Sequence, residues 1–310
     1  MNDSGARYYY SRLTDNEREI YESICKALLS FEPALTLRHA PIGNMQKILK
    51  SVLFDNPVFF YLNRKRVAVL QNPFGLTLVF QYDYSRPDAE AMWQTAQKRL
   101  DRFMERCIKP NMNSLARQIE AHRWMQQNIK IAKAPYGREC FSLVGALVKG
   151  CCVCEGFAHG YKLICDRMHI ASIIVTGTAI NADGTREAHA WNITRIDGVT
   201  AHIDVTWDTI YGVGSYDYFN LSDNEIAADH IYDRSLYPRC EENNINYFKL
   251  NKLVAYNKSE LCSIIANNRQ REFFSVKLEF QCDAGLLAEC GFPSGRLRYN
   301  AARNIVSFAK

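Results

Sequence analysis

Three cysteines and a glutamate crowd the start of a helical pattern in the run Gly150-Cys151-Cys152-Val153-Cys154-Glu155-Gly156-Phe157-Ala158. Beyond it Phe157, Ala158, Tyr161, Ile164, Cys165 and Met168 recur on one helical face, which sets Cys154 in or at the first turn. There the unpaired backbone N–H groups and the positive end of the helix dipole favour a thiolate. The same N–H groups suit a developing oxyanion. A thiol so placed is fitted for nucleophilic attack when a base stands within hydrogen-bond reach. The competing role is that of a small buried hydrophobe, the commoner fate of a cysteine.

A base is supplied by hairpin geometry. Ile196-Asp197-Gly198-Val199 is a strong two-residue turn signal, because Asp-Gly tolerates the positive φ values that such turns need. Pairing Ile196 with Val199 and counting back sets His189 opposite Thr206 and Trp191 opposite Asp204. His189 and Asp204 are then a diagonal pair on one face, roughly 7–8 Å apart and within side-chain reach. His202, two residues before Asp204, shares that face and is an equal candidate within the hairpin. His159 follows Cys154 by five positions, about 140° round the helix, and reads as structural. A zinc site built from Cys151, Cys152, Cys154 and Cys165 with His159 or Cys140 lacks the paired modules that zinc spacing requires. No metal is expected.

The rest of the chain must position these groups. Its 310 residues, 47% hydrophobic and 23% charged, suffice for about two domains with a sizeable core. Disordered, collagen-like and coiled-coil chains are thereby excluded. The net charge of +5 is uneven: +4 over 1–110, −3 over 111–235 and +4 over 236–310. A nucleic-acid binder needs a basic stripe to neutralise phosphates, and the chemically rich middle has none. No stretch approaches the roughly 20 apolar residues of a membrane span, and the start lacks the apolar block of a signal peptide. Eleven cysteines without framework spacing fit a reducing compartment. The expectation is a cytoplasmic protein without membrane or nucleic-acid partners.

Helical periodicity is expected over 1–35, ended by Pro33, and over Met45–Phe54. Strands are expected at Val58–Leu62, Val67–Leu70 and Leu76–Tyr84, separated by turns at Asn63-Arg64-Lys65 and Asn72-Pro73-Phe74-Gly75. Arg86-Pro87-Asp88 opens a long helix to about Cys107. Residues 1–110 read as an α+β accessory domain, 111–235 as the core and 236–310 as an appended element. In the core, helices at Ser114–Lys130 and Gly150–Ile170 precede strands at Ala171–Thr178, Ala188–Ile196 and Val199–Trp207. Helices followed by an antiparallel meander make an α+β fold. After Pro238 a helix is expected at Ser259–Asn267 and strand near Phe273–Cys282.

Taken in order, these motifs resemble the transglutaminase-like superfamily of cysteine enzymes. Val153-Cys154-Glu155-Gly156-Phe157-Ala158 is similar to its nucleophile motif, His189-Ala190-Trp191-Asn192 to its histidine motif and Asp204-Val205-Thr206-Trp207-Asp208 to its aspartate motif. The gaps of 35 and 15 residues also fit. Tyr218-Phe219-Asn220-Leu221-Ser222, Asp229-His230 and the stretch Asp55–Tyr61 resemble what flanks the core in bacterial members. The resemblance implies a papain-like α+β core, a nucleophile helix packed on an antiparallel sheet. It also implies Cys154 as nucleophile, His189 as base and acid, and Asp204 as the carboxylate that orients the ring, which selects His189 over His202. Cys151-Cys152 depart from the small or polar residues expected before the nucleophile. The calcium sites of animal members have no acidic-loop signature here, and no cofactor is implied.

The chemistry expected is acyl transfer on amide bonds of a protein or peptide, through a thioester. Hydrolysis, by a peptidase or deamidase, is favoured over cross-linking, because no feature of the sequence excludes water. Trp191 and Trp207 are expected on opposite faces of the hairpin, Trp191 walling the site with Glu155 beside the nucleophile. A peptide-binding module without turnover, or an adaptor acting through the basic flanks, are the competing functions.

Overall fold

The computed structural model describes residues 7–38, 42–73, 75–242, 244–290 and 296–309. The first residues of the helix expected over 1–35, and Phe74 of the expected turn, lie outside them. The chain forms an α+β fold of two compact units, Met1–Ala121 with Ile129–Ile174, and His122–Asn128 with Val175–Lys310. Among the described residues no helix is long and apolar enough to cross a membrane.

In the first unit, helix Asp15–Leu29 begins at a capping box in which Thr14 and Glu17 satisfy each other's backbone N–H groups. Its buried face, with Ile20, Ile24 and Leu28, packs with Ile48 and Val52 of helix Met45–Asp55 in one core. An antiparallel sheet of Ala34–Arg38, Gly75–Val79 and Ala68–Asn72 adds Leu37, Leu76 and Leu78 to it. The strand expected at Val58–Leu62 is instead a 3₁₀ turn over Pro57–Phe59, followed by a bridge from Leu62 to Tyr82. Pro57 explains the difference: its fixed φ suits a first helical position, and it cannot donate to a ladder. Helix Arg86–Cys107 is capped by Ser85 and carries Pro87 in its first turn.

A π-helical segment, Val144–Lys149, ends at Gly150 in the left-handed region, with φ of 70°. Cys151–Cys152 then pairs in parallel with Lys130–Ile131, and helix Cys154–Arg167 follows directly. Gly156 is required by close approach. A Cβ there would lie 2.4 Å from the Cys140 carbonyl oxygen and 2.6 Å from Cys152 Cβ.

A five-stranded sheet, in the second unit from Val175 on, is ordered His230–Ile231, Ala171–Ile180, Arg186–Ile196, Val199–Ile203, Phe219–Leu221. Its central hairpin has the expected register, from Ile196 opposite Val199 to Asn192 opposite Ile203. Asp197 and Gly198 turn it with φ of 48° and 88°, the double positive φ of a type I′ turn. The strand expected to run to Trp207 stops at Ile203, however, and helix Val205–Tyr211 begins. Downstream, helix Lys258–Asn268 packs on a four-stranded sheet that includes Phe273–Leu278 and, beyond the expected elements, Arg296–Asn300 and Ile305–Ala309. Cys262 and Cys290 form a disulfide.

Replacing Gly156 with Ala forces the turn before the helix to shift. Gly156→Ala should cost about 1–3 kcal/mol, read as a lower denaturant midpoint with an unchanged m-value.

Candidate active site

Cys154 opens its helix, half-buried, after Val153, whose side chain makes no capping hydrogen bond. The first N–H groups of any helix have no intrahelical acceptor, and no N-cap side chain takes them here. Cys152, two residues earlier, is fully buried, and burial with the neighbouring Cys151 and Cys140 pushes its thiol far up. It is a core residue, not a second nucleophile. Glu155 turns to Arg64, which grips both its carboxylate oxygens, the Nη2–Oε2 bond being 2.8 Å. Burial alone would raise the Glu155 carboxyl, but His159 and Arg64 hold it below the usual range.

In the second unit His189 and Asp204 meet. His189 Nε2 lies 2.6 Å from Asp204 Oδ2, and both residues are buried. The geometry that joins them is not the diagonal of an extended hairpin. Asp204 is the N-cap of helix Val205–Tyr211, and its Oδ1 accepts from the N–H groups of Thr206 at 2.9 Å and Trp207 at 3.2 Å. An aspartate is among the strongest N-caps, and its cap ends the strand that β-branched Val205 and Thr206 suggest. Full burial would raise the Asp204 carboxyl, but His189, by charge and hydrogen bond, and then His230 hold it well below the ordinary carboxylate range. It is an ionised group in the protein interior.

His230 is the member that sequence reasoning left without a role. Its Nε2 lies 3.2 Å from the same Asp204 oxygen, and its Nδ1 lies 2.6 Å from Asp229 Oδ1. Tyr218 donates to the other Asp229 oxygen at 2.6 Å. The signal was present as the adjacent Asp229-His230 and Tyr218, but only the sheet brings His230 beside His189, their rings 5.3 Å apart. Trp207 and Trp191 close around His230 at 4.6 Å and 4.8 Å. The expectation that the two tryptophans face oppositely fails because Trp207 is on a helix. Trp191 is 1% exposed, which leaves it little surface to offer a substrate. Its ring stacks beside His189 at 6.0 Å.

His202, the rival base, is engaged elsewhere. Its Nδ1 accepts from Trp191 Nε1 at 3.0 Å, so its Nε2 carries the proton, 3.0 Å from Asp223 Oδ1, and Tyr232 donates to that same oxygen. His202, Asp223 and Cys240 form one of two groups among the described residues with metal-ligand spacing, the other being His189, Asp204 and His230. A His202 Nε2 that donates a proton has no lone pair for a metal. A further buried pair, His122 Nε2 and Asp208 Oδ2 at 2.9 Å, anchors the helix that Asp204 caps. Burial pushes the His122 imidazole down to about 3 and the Asp208 carboxyl up, which makes a neutral pair.

No family model matches the sequence, and no curated protein does. Among solved structures, a candidate cysteine protease from Cytophaga hutchinsonii is similar at 13% identity and a TM-score of 0.31, over 46% of this chain and 61% of that one. A transglutaminase, described as a TGase, is similar at 12% identity and a TM-score of 0.33, over 56% of this chain and 50% of its own. The chain thus spans between half and two thirds of their length. At this similarity the chemistry must be read from the chain's own side chains.

His202 is held below the usual imidazole range by burial. Below about pH 6.5 the unfolded chain binds a proton on this imidazole that the folded chain resists. The stabilisation from its neutral form is therefore whole above that pH and lost as pH falls, by at most about 1.4 kcal/mol per pH unit, whereas His122 adds no such slope because its partner Asp208 holds a proton in the fold. Denaturant titrations at pH 7, 6 and 5 read the slope of stability against pH. His202→Gln, which keeps an acceptor for Trp191 and a donor for Asp223, should lower that slope by up to about one proton.

Proposed function

We propose that this protein is a cysteine-dependent acyl-transfer enzyme acting on amide bonds of peptides or proteins. The observation that carries this reading is the buried hydrogen bond between His189 Nε2 and the ionised Asp204. A carboxylate on Nε2 holds the proton there and makes Nδ1 the basic nitrogen, the role an orienting carboxylate plays in nucleophile–imidazole triads. Support also comes from Cys154 at an uncapped helix start and from the order of the three motifs.

In the reaction, His189 Nδ1 takes the Cys154 proton as the sulfur attacks the amide carbonyl, and a C–S bond forms. The C–N bond then breaks, and His189 returns the proton to the departing amine or ammonia. Water, deprotonated by the same nitrogen, attacks the thioester, and the thiol is released with a carboxylic acid. Asp204 stabilises the imidazolium formed in each half, and His230 keeps the carboxylate in place. Hydrolysis is favoured over cross-linking. The peptide or glutamine amide is the substrate, and no cofactor takes part.

Cys154→Ala and His189→Ala should each lower turnover of a peptide panel by about a thousandfold or more, whereas Asp204→Asn should leave a folded enzyme with residual activity. Mass spectrometry identifies the reaction: a gain of about 1 Da is deamidation, fragments are peptidase activity, and a coupled amine is transfer. The iodoacetamide labelling rate of Cys154 against pH tests the nucleophile separately. A thiol that titrates near the free value of about 8.5 and ignores His189→Ala would overturn the mechanism.

A further inference from the structure

A cavity of about 520 Å³ lies within the first unit, lined by the turns Pro57–Phe59 and Arg64–Arg66, by residues of the segment 136–142 and by His159. Four cations reach it. Arg64, Lys65 and Arg66 are consecutive on one 3₁₀ turn, and Arg138 comes from another, Arg138–Phe141. Arg64 is held by Glu155 and Arg138 by Asp83 at 3.1 Å. Among the described residues, no carboxylate pairs with Lys65 or Arg66, so the wall keeps an excess of positive charge. Phe60 and Phe141 give it apolar surface.

His159 supplies an independent sign of a ligand. Its side chain is 9% exposed, its Nε2 faces Glu155 at 3.8 Å, and its Nδ1 is buried without a hydrogen-bond partner. A buried polar atom left unpaired costs free energy until something bonds it, and this one belongs to a residue that lines the cavity. Forked guanidinium groups match a carboxylate in geometry and charge. Glu155, which ties Arg64 and faces His159, is the residue after Cys154. The cavity is thus linked through one residue to the expected nucleophile.

We propose that this cavity is a specificity pocket for acidic peptides, in which Lys65, Arg66 and His159 receive the side-chain carboxylate of a glutamate or aspartate. Its consequence for catalysis rests on the reading of Cys154 as nucleophile; the binding itself does not. The experiment uses the full chain carrying Cys154→Ala, titrated calorimetrically with acetylated, amidated peptides that differ only in Glu or Gln. The Glu peptide should bind at least tenfold more tightly, more weakly as salt rises, and the preference should vanish in Lys65→Glu/Arg66→Glu. These side chains are exposed, so an unchanged melting temperature should show that the variant folds. His159→Leu should weaken the Glu peptide severalfold. Equal binding of the two peptides, or a preference that survives the charge reversal, would overturn the pocket. So would a neutral peptide with a free C-terminus binding as well as the Glu peptide. With active protein the two readings fail separately. Turnover indifferent to acidic residues sinks the pocket alone, whereas tight acidic binding without turnover sinks the catalytic reading alone.

Discussion

A carboxylate without solvent contact is the constraint around which the second unit is arranged. Taking an ion out of water costs several kcal/mol even after relaxation, and Asp204 is fully buried and ionised. It persists because two backbone N–H groups and two imidazole nitrogens surround it. Each partner dictates structure. The N–H groups are those of Thr206 and Trp207, so the strand must end at Ile203 and a helix must start there. The imidazoles come from strand Arg186–Ile196 and from the edge strand His230–Ile231, so the sheet must hold them in register.

The surrounding network extends this logic outward. Asp229 and Tyr218 brace His230, while Asp223 and Tyr232 brace His202. The Trp191 ring packs beside His189 and its N–H bonds His202, so one side chain orients both histidines of the hairpin. Such a network resists rearrangement because any loosened member leaves a buried polar group unpaired. A pre-aligned imidazole needs little reorganisation when charge develops on it, which is the main electrostatic contribution a protein makes to catalysis.

The first unit handles charge differently. Around Glu155 and the cavity wall the ions are at least partly exposed, and Arg64 and Arg138 are paired while, among the described residues, no carboxylate pairs with Lys65 or Arg66. Partly solvated cations are cheap to hold and remain able to exchange partners. That suits recognition, whereas the dry network of the second unit suits fixed geometry.

Much of this was legible in the sequence because it is set by neighbours in the chain. The Asp197-Gly198 turn determined the hairpin register, since few dipeptides accept two positive φ values. The capped, amphipathic helices follow the apolar spacing, and the alignment of cysteine, histidine and aspartate motifs singled out His189 and Asp204 as a pair. Tertiary structure alone decided the rest. That Asp204 caps a helix depends on its burial, and that His230 shares its oxygen, that His202 is spent on Trp191 and Asp223, and that His159 meets residues 64–66 at one cavity depend on partners well separated in sequence. Local propensity favours strand through Val205 and Thr206. The helix wins because a buried carboxylate gains more from two backbone N–H groups than a strand end gains from two more ladder bonds, and burial is a property that no stretch of chain possesses before it folds.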